Sequence, residues 1–240
     1  MRQGGVLSPV LFAIFVDDVM KKSSLSILVA MCPTYVYTSI FLYADDILLL
    51  APSVSSLQKL LSACEEELYF LDMRINDKKS VCIRFGNRHD VCCAPVTTCS
   101  GVALRWVDTC RFLGIYFVSA RSFKCTFEPA RSKFYKSFNA IFGKVGRVAS
   151  ESVIMQLISS KCLPVLLYAT EACPFLARDQ SSVSFAVTRI LMNFFRTRSR
   201  DVTDQCQIMF DMLPVEHHVF LRKVRFLLRF KNSDNLICSD

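Results

Sequence analysis

Tyr43-Ala44-Asp45-Asp46 sits between two apolar runs, Ser39-Ile40-Phe41-Leu42 before it and Ile47-Leu48-Leu49-Leu50 after it. Short apolar runs on either side of a turn-forming pair predict two β-strands joined by a tight acidic hairpin. Two carboxylates held among apolar strands are costly unless a cation compensates them. A hard divalent ion with oxygen ligands fills that role, and Mg²⁺ takes one or two carboxylates together with substrate phosphates. The stretch therefore predicts metal-assisted phosphoryl transfer. Taken alone, Asp45-Asp46 is better read as a plain turn, because Asp bonds readily to its own backbone. The neighbouring segments decide between the two readings.

Upstream, Arg2-Gln3-Gly4-Gly5-Val6-Leu7-Ser8-Pro9 leads into an apolar run over residues 10–16. Ser8 suits an N-cap and Pro9 a first helical position, which predicts a helix over residues 9–22 packed by Leu11, Phe12, Phe15 and Val19. Gly4 and Gly5 permit a close approach of backbone to a ligand. Downstream come Ile75-Asn76-Asp77-Lys78-Lys79-Ser80 and then Phe112-Leu113-Gly114-Ile115. In this order and at this spacing, the four segments resemble a reverse transcriptase of the non-long-terminal-repeat (LINE-like) retrotransposon type. The resemblance is good over about residues 2–118 and looser beyond.

That resemblance implies an α/β (α+β) fold: a partial polymerase palm, an antiparallel sheet with covering helices, over residues 1–120, then a helical thumb over residues 121–240. It implies RNA-directed DNA synthesis with Mg²⁺ as cofactor and Mn²⁺ as the alternative ion. The partners it implies are an RNA template, a DNA primer and deoxynucleoside triphosphates. Asp45 and Asp46 become metal-binding catalytic residues. Lys79, at the lysine position of the family's Asn-x-x-Lys motif, becomes a proton donor to the leaving pyrophosphate; the alternative is a surface turn lysine. Arg2, Gln3, Gly4 and Tyr43 become template and nucleotide contacts. Phe112, Leu113 and Gly114 become the primer grip.

Two departures from the family stand out. Its further catalytic aspartate lies on a strand upstream of the Gln-Gly segment, and here Met1 directly precedes that segment. The expectation is a chain truncated at its N-terminus, with too few carboxylates for two ions. It is then a nucleic-acid-binding relic, or a half that needs the missing N-terminal part of the polymerase as a partner. Between Lys22 and Thr38, where relatives are expected to carry a Gly-containing hairpin, there is no Gly. A shifted reading frame would produce that.

Composition bears on these readings. The chain is 52% hydrophobic with 20 Phe, apolar enough to suit a piece whose open face a partner covers. No apolar run is long enough to span a membrane: residues 162–177 carry two Pro and Glu171. Gly4, Gly5, Pro9 and Asp17-Asp18 break up any signal peptide. Asp17 and Asp18 themselves fit a solvated helix end better than a metal site. The formal net charge of +8 suits a polyanionic partner. The 12 Cys are scattered without a Cys-x-x-Cys pair, which predicts reduced thiols in an intracellular, nuclear or cytoplasmic, non-secreted protein. His89, Cys92, Cys93 and Cys99 match no zinc-finger spacing, so ordinary loop thiols are the expectation there.

Periodicity fills in the rest. Leu57, Leu60, Leu61, Cys64, Leu68 and Leu71 predict a helix over residues 55–73, with Ser55 and Gln58 as a capping box and Glu65-Glu66-Glu67 mostly in solvent. Residues 81–85 predict a strand, and residues 102–107 and 111–117 a strand pair. Beyond residue 120 the pattern is helical, with an apolar stripe of Phe127, Phe134, Phe138, Ile141, Phe142 and Val145. Arg121 through Arg147 include seven basic residues and one acid, Glu128. Beside a primer grip, Lys124, Arg131, Lys133 and Lys136 suit a nucleic-acid backbone; the alternative is the solvent face of an amphipathic helix. Further helices are predicted over residues 153–169 and 181–198. Arg196, Arg198 and Arg200 form a basic cluster, and a last helix carries His217-His218.

Overall fold

The computed structural model describes residues 40–146 and 148–233. Arg2, Gln3 and Gly4, the helix expected over residues 9–22 with Asp17 and Asp18, and the Gly-free segment before Thr38 lie outside the described residues. The fold is mixed α/β, with short-stranded sheets and a covering helix followed by a run of helices. The chain divides into two compact units: Met1–Phe112 with Ser119–Ser122, and Leu113–Val118 with Phe123–Asp240.

In the first unit, β1 (Ile40–Tyr43) and β2 (Asp46–Leu49) form the expected antiparallel hairpin, in register Ile40↔Leu49, Phe41↔Leu48 and Tyr43↔Asp46. Helix α1 (Val54–Phe70) follows. Its N-cap is Ser53, whose Oγ accepts from the Ser56 amide at 3.1 Å. The capping box expected at Ser55 and Gln58 does not form, because the helix starts one residue earlier and the Gln58 side chain is committed elsewhere. The Gln58 carboxamide donates to Thr97 O (2.7 Å) and accepts from Thr97 N (2.8 Å). Glu65 departs from its expected solvent position: it is only 9% exposed and accepts from the Cys99 amide at 2.9 Å. A carboxylate is tolerated at that depth because a backbone N–H satisfies it.

Strands β3 (Val81–Cys82), β4 (Val96–Thr97) and β5 (Ala103–Trp106) form a sheet in the order β3-β5-β4. β4 runs antiparallel to β5, while β3 runs parallel to it, a pairing that the alternation of residues 81–85 does not reveal. Leu61 of α1 meets Cys82, Val96 and Leu104 in a small core, edged by Leu49, Val54, Leu57, Ile75 and Trp106. Strand β6 (Thr109–Phe112) closes the unit's main stretch. The strand expected over residues 111–117 is thus broken at Leu113-Gly114.

In the second unit, β7 (Ile115–Val118) pairs antiparallel with β8 (Cys125–Thr126). Lys124 therefore leads into a strand, not into a helix as its place in the basic run predicts. Helix α2 (Glu128–Val145) has Pro129 in its first turn, where a missing amide costs nothing. The helix expected over residues 153–169 is α3 (Glu151–Leu157), a π-turn (Ile158–Cys162) and α4 (Leu163–Leu166) in continuous succession. Ile154, Ile158, Cys162 and Leu166 are all buried at spacing four. Each such step drifts about 40° around a regular α-helix, and the wider π-turn takes up that drift so the stripe keeps facing the core.

Helix α5 (Ala177–Phe194) buries Val183, Ala186, Val187, Ile190 and Leu191, an i, i+3, i+4, i+7, i+8 stripe. It stops four residues short of its expected end, and α6 (Arg200–Met209) follows. Helix α7 (Val215–Lys231) carries His217 and His218 as expected. Phe134, Ile154, Ile158, Leu166, Val183 and Leu191 are fully buried in one core. Each such side chain contributes about 1.5–3 kcal/mol. Arg222 of α7 makes a two-pronged ion pair with Glu171 at 3.0 and 3.1 Å. Among the described residues, no helix is long and apolar enough to cross a membrane.

Candidate active site

The hairpin loop is two residues long, Ala44 and Asp45, and Asp46 opens β2. Ala44 has φ +51°, the left-handed region that a two-residue hairpin demands at its first loop position. A Cβ in that region is strained, and such strain persists only where the surrounding structure imposes it. Asp46 shares a sheet face with its cross-strand partner Tyr43, the face opposite the one carrying Ile40, Ile47 and Leu49. Leu49 packs on the small core, which holds its face. Tyr43 is 64% exposed, and Asp45 and Asp46 are exposed too. Neither carboxylate has a hydrogen bond or ion pair among the described residues. The result is two exposed carboxylates and a phenol at the tip of a strained, tight turn.

Lys79 stands in a turn that Asn76 organises. The Asn76 Oδ1 accepts from the amides of Lys78 and Lys79, both at 3.2 Å, and its carbonyl accepts from Lys79 N (3.0 Å) and Ser80 N (2.9 Å). This is an Asx-turn, and it explains the Asn-x-x-Lys spacing physically: Asn fixes the backbone that presents Lys three residues on. Arg105 donates to Lys78 O at 3.3 Å and Ser100 to Asp77 at 3.2 Å, tying the turn down. The Lys79 ammonium is exposed and has no partner among the described residues.

Leu113 and Gly114 have φ +48° and +83°, two consecutive left-handed residues, as a type I′ turn requires. The turn has a support that nothing in its own sequence announces. Tyr168 donates its hydroxyl to Leu113 O at 2.9 Å, and a Cβ added to Gly114 would lie 3.2 Å from the Tyr168 ring. Phe112 is half-buried in the strand before this turn.

Of the four basic residues expected along a nucleic-acid backbone, Lys133 and Lys136 are exposed on α2 and Lys124 is exposed before β8. Arg131 is partly engaged within the unit, donating to Ser182 Oγ of α5 and lying 4.0 Å from Glu128. The ten described cysteines are free thiols. Cys93 accepts from Arg84, and among the described residues no three His, Cys, Asp or Glu side chains converge as metal ligands. Asp45 and Asp46 are exposed oxygen donors adjacent in sequence, the donor type that Mg²⁺ takes as one or two carboxylates with phosphates and water completing its shell.

Residues 1–117 match the family model of reverse transcriptase (RNA-dependent DNA polymerase). The match takes in the acidic hairpin, the Asn76 turn and the Leu113-Gly114 turn, so the first part of the chain is similar to that polymerase class. No curated protein and no solved structure matches the chain.

Proposed function

We propose that this chain is part of an RNA-directed DNA polymerase of the non-long-terminal-repeat type, with residues 1–120 as a partial palm and residues 121–240 as a helical thumb. The observation that carries the reading is the hairpin: within the segment matched to the polymerase family, it presents two exposed carboxylates and Tyr43 at a strained two-residue turn. Asp45 and Asp46 would hold Mg²⁺, or Mn²⁺, which when bound stabilises charge on the attacking and leaving oxygens.

The reaction is nucleotidyl transfer. The primer 3′-oxygen forms a bond to the α-phosphorus of a deoxynucleoside triphosphate, its proton is released, and the bond from the α-phosphorus to the pyrophosphate oxygen breaks. Lys79 gives a proton to the departing pyrophosphate. Tyr43 flanks the nucleotide or the primer end, and Arg2, Gln3 and Gly4 contact template and nucleotide. The turn at Leu113 and Gly114, after Phe112, carries the primer. Lys124, Lys133 and Lys136, with Arg131 in part, meet the phosphates of the template–primer, so binding weakens as salt rises.

Primer extension on an RNA template with Mg²⁺ tests this, beside an Asp45→Ala variant. The expected result is extension that falls to background in the variant. Extension that is indifferent to Asp45→Ala overturns the assignment of the hairpin. A second reading, nucleic-acid binding without chemistry, draws on the lack of a third converging carboxylate among the described residues. Folded chain that binds template–primer salt-dependently yet never extends it favours that reading.

A further inference from the structure

Helices α2 and α5 line a half-open cleft of about 580 Å³ that the polymerase reading does not use. Phe138 and Ile190, both buried, form its floor. Its walls are polar: Tyr135 and Asn139 from α2, Arg189 and Asn193 from α5. The volume falls in the range of small-molecule sites, and an apolar floor with a few convergent polar groups is their usual construction.

The four wall residues have no side-chain hydrogen bond or ion pair among the described residues. Asn139, Arg189 and Asn193 are exposed and Tyr135 is half-buried, so no described residue has claimed their donors and acceptors. Two carboxamides offer paired donors and acceptors suited to the edge of a heterocycle. A phenol ring offers a stacking face, and a guanidinium offers both a planar face and a phosphate partner. The charge around the cleft is one-sided. Residues 131–143 and 185–197 contain no Asp or Glu, and they contain Arg131, Lys133, Lys136, Arg189 and Arg196. Lys136 lies one turn before Asn139 on the same edge of α2. An anionic ligand with a planar, hydrogen-bonding body fits every one of these features.

We propose that this cleft seats a single nucleotide: its base lies against Tyr135, its edge meets Asn139 and Asn193, and its phosphate meets Arg189. The same chemistry is offered by a free mononucleotide and by one unstacked nucleotide of a single strand.

The test uses the full chain and a single-stranded RNA carrying one photoreactive 5-iodouracil, with fluorescence anisotropy for affinity and mass spectrometry for the cross-linked peptide. The expected cross-link is to the peptide containing Tyr135. Arg189→Gln and Asn193→Ala should each weaken binding about tenfold, the scale of losing one stacked and hydrogen-bonded base. Both side chains are exposed and unpartnered, so far-UV circular dichroism should be unchanged. Displacement of the Tyr135 cross-link by uridine monophosphate identifies the free nucleotide as a ligand; a cross-link that resists it identifies the base within a strand. A cross-link only elsewhere, affinity unchanged in Asn193→Ala, or no binding of strand or nucleotide overturns the proposal. An inactive palm leaves all these readouts intact, so failure here and failure of primer extension are distinguishable.

Discussion

Among the described residues, the first unit closes over Leu61, Cys82, Val96 and Leu104, while the second closes over sixteen buried side chains from Phe134 to Val215. The first unit compensates with polar clamps: Gln58 on Thr97, Glu65 on Cys99, Asn76 on its own turn. The second relies on packing, with Glu171–Arg222 as its principal ion pair. Among the described residues of the first unit, the Asn76 turn and the loop around Thr97 and Cys99 are thus held by side-chain hydrogen bonds to backbone. The helical unit gains its stability chiefly from burial.

The sharpest way to break that contrast is Phe134→Ala. Phe134 is fully buried in the large core, and its loss should cost about 3–5 kcal/mol in chemical denaturation. A cost under about 1 kcal/mol would mean that the second unit is not held by packing. Gln58→Ala comes next. Removing both bonds to Thr97 should cost about 1–2 kcal/mol although the side chain fills little of the core, and an effect within error would undo the claim of polar clamps.

A pH titration of stability then probes the polar part of the second unit. Burial pushes the Glu171 carboxyl up, but the hydrogen bonds and charge of Arg222 outweigh it and hold the group below its ordinary value of 4.5. Burial, then the charges of Arg222 and His217, hold the His218 ring below 6.5. Both folded values are depressed, so both contributions are complete above the unfolded values and are lost as pH falls through the folded ones. Stability should be flat near pH 7, decline once pH drops below 6.5, and decline again below 4.5. His218→Gln should remove the first decline and Glu171→Gln the second, each worth about 1 kcal/mol or less given partial exposure. The smallest effect runs the other way. Ala44→Gly should stabilise by about 0.5 kcal/mol, relief of the left-handed strain offset by a more flexible unfolded chain.

The acidic hairpin was legible because its apolar runs and turn pair are local, and α1 and α5 because their stripes are periodic. The Leu113-Gly114 turn was legible as a motif, but its support was not: Tyr168 is 55 residues away, and nothing near either residue signals the contact. Glu65 reads as solvated within a run of three glutamates because its partner, the Cys99 amide, is a backbone group that carries no sequence mark. The first cap was misplaced from Ser53 to Ser55 because three serines compete there and only the backbone turn selects one. Helix α6 went unseen because its sequence has few apolar residues to set a period. The cleft between α2 and α5 was hidden for a related reason: Asn139, Arg189 and Asn193 look like ordinary surface residues until two helices bring them together.

Strand β4 lies at the edge of its sheet, and the clamp of Gln58 has a consequence for how this protein behaves among its own copies. Edge strands expose a row of peptide groups that another chain can pair with. At Thr97 the carboxamide of Gln58 mimics a neighbouring peptide, donating and accepting as a further strand would. Helix α1 therefore supplies, through one side chain, the hydrogen bonds that an intruding strand would seek. A chain lacking Gln58 is expected to offer neighbouring copies a vacant pair of peptide groups at the sheet margin.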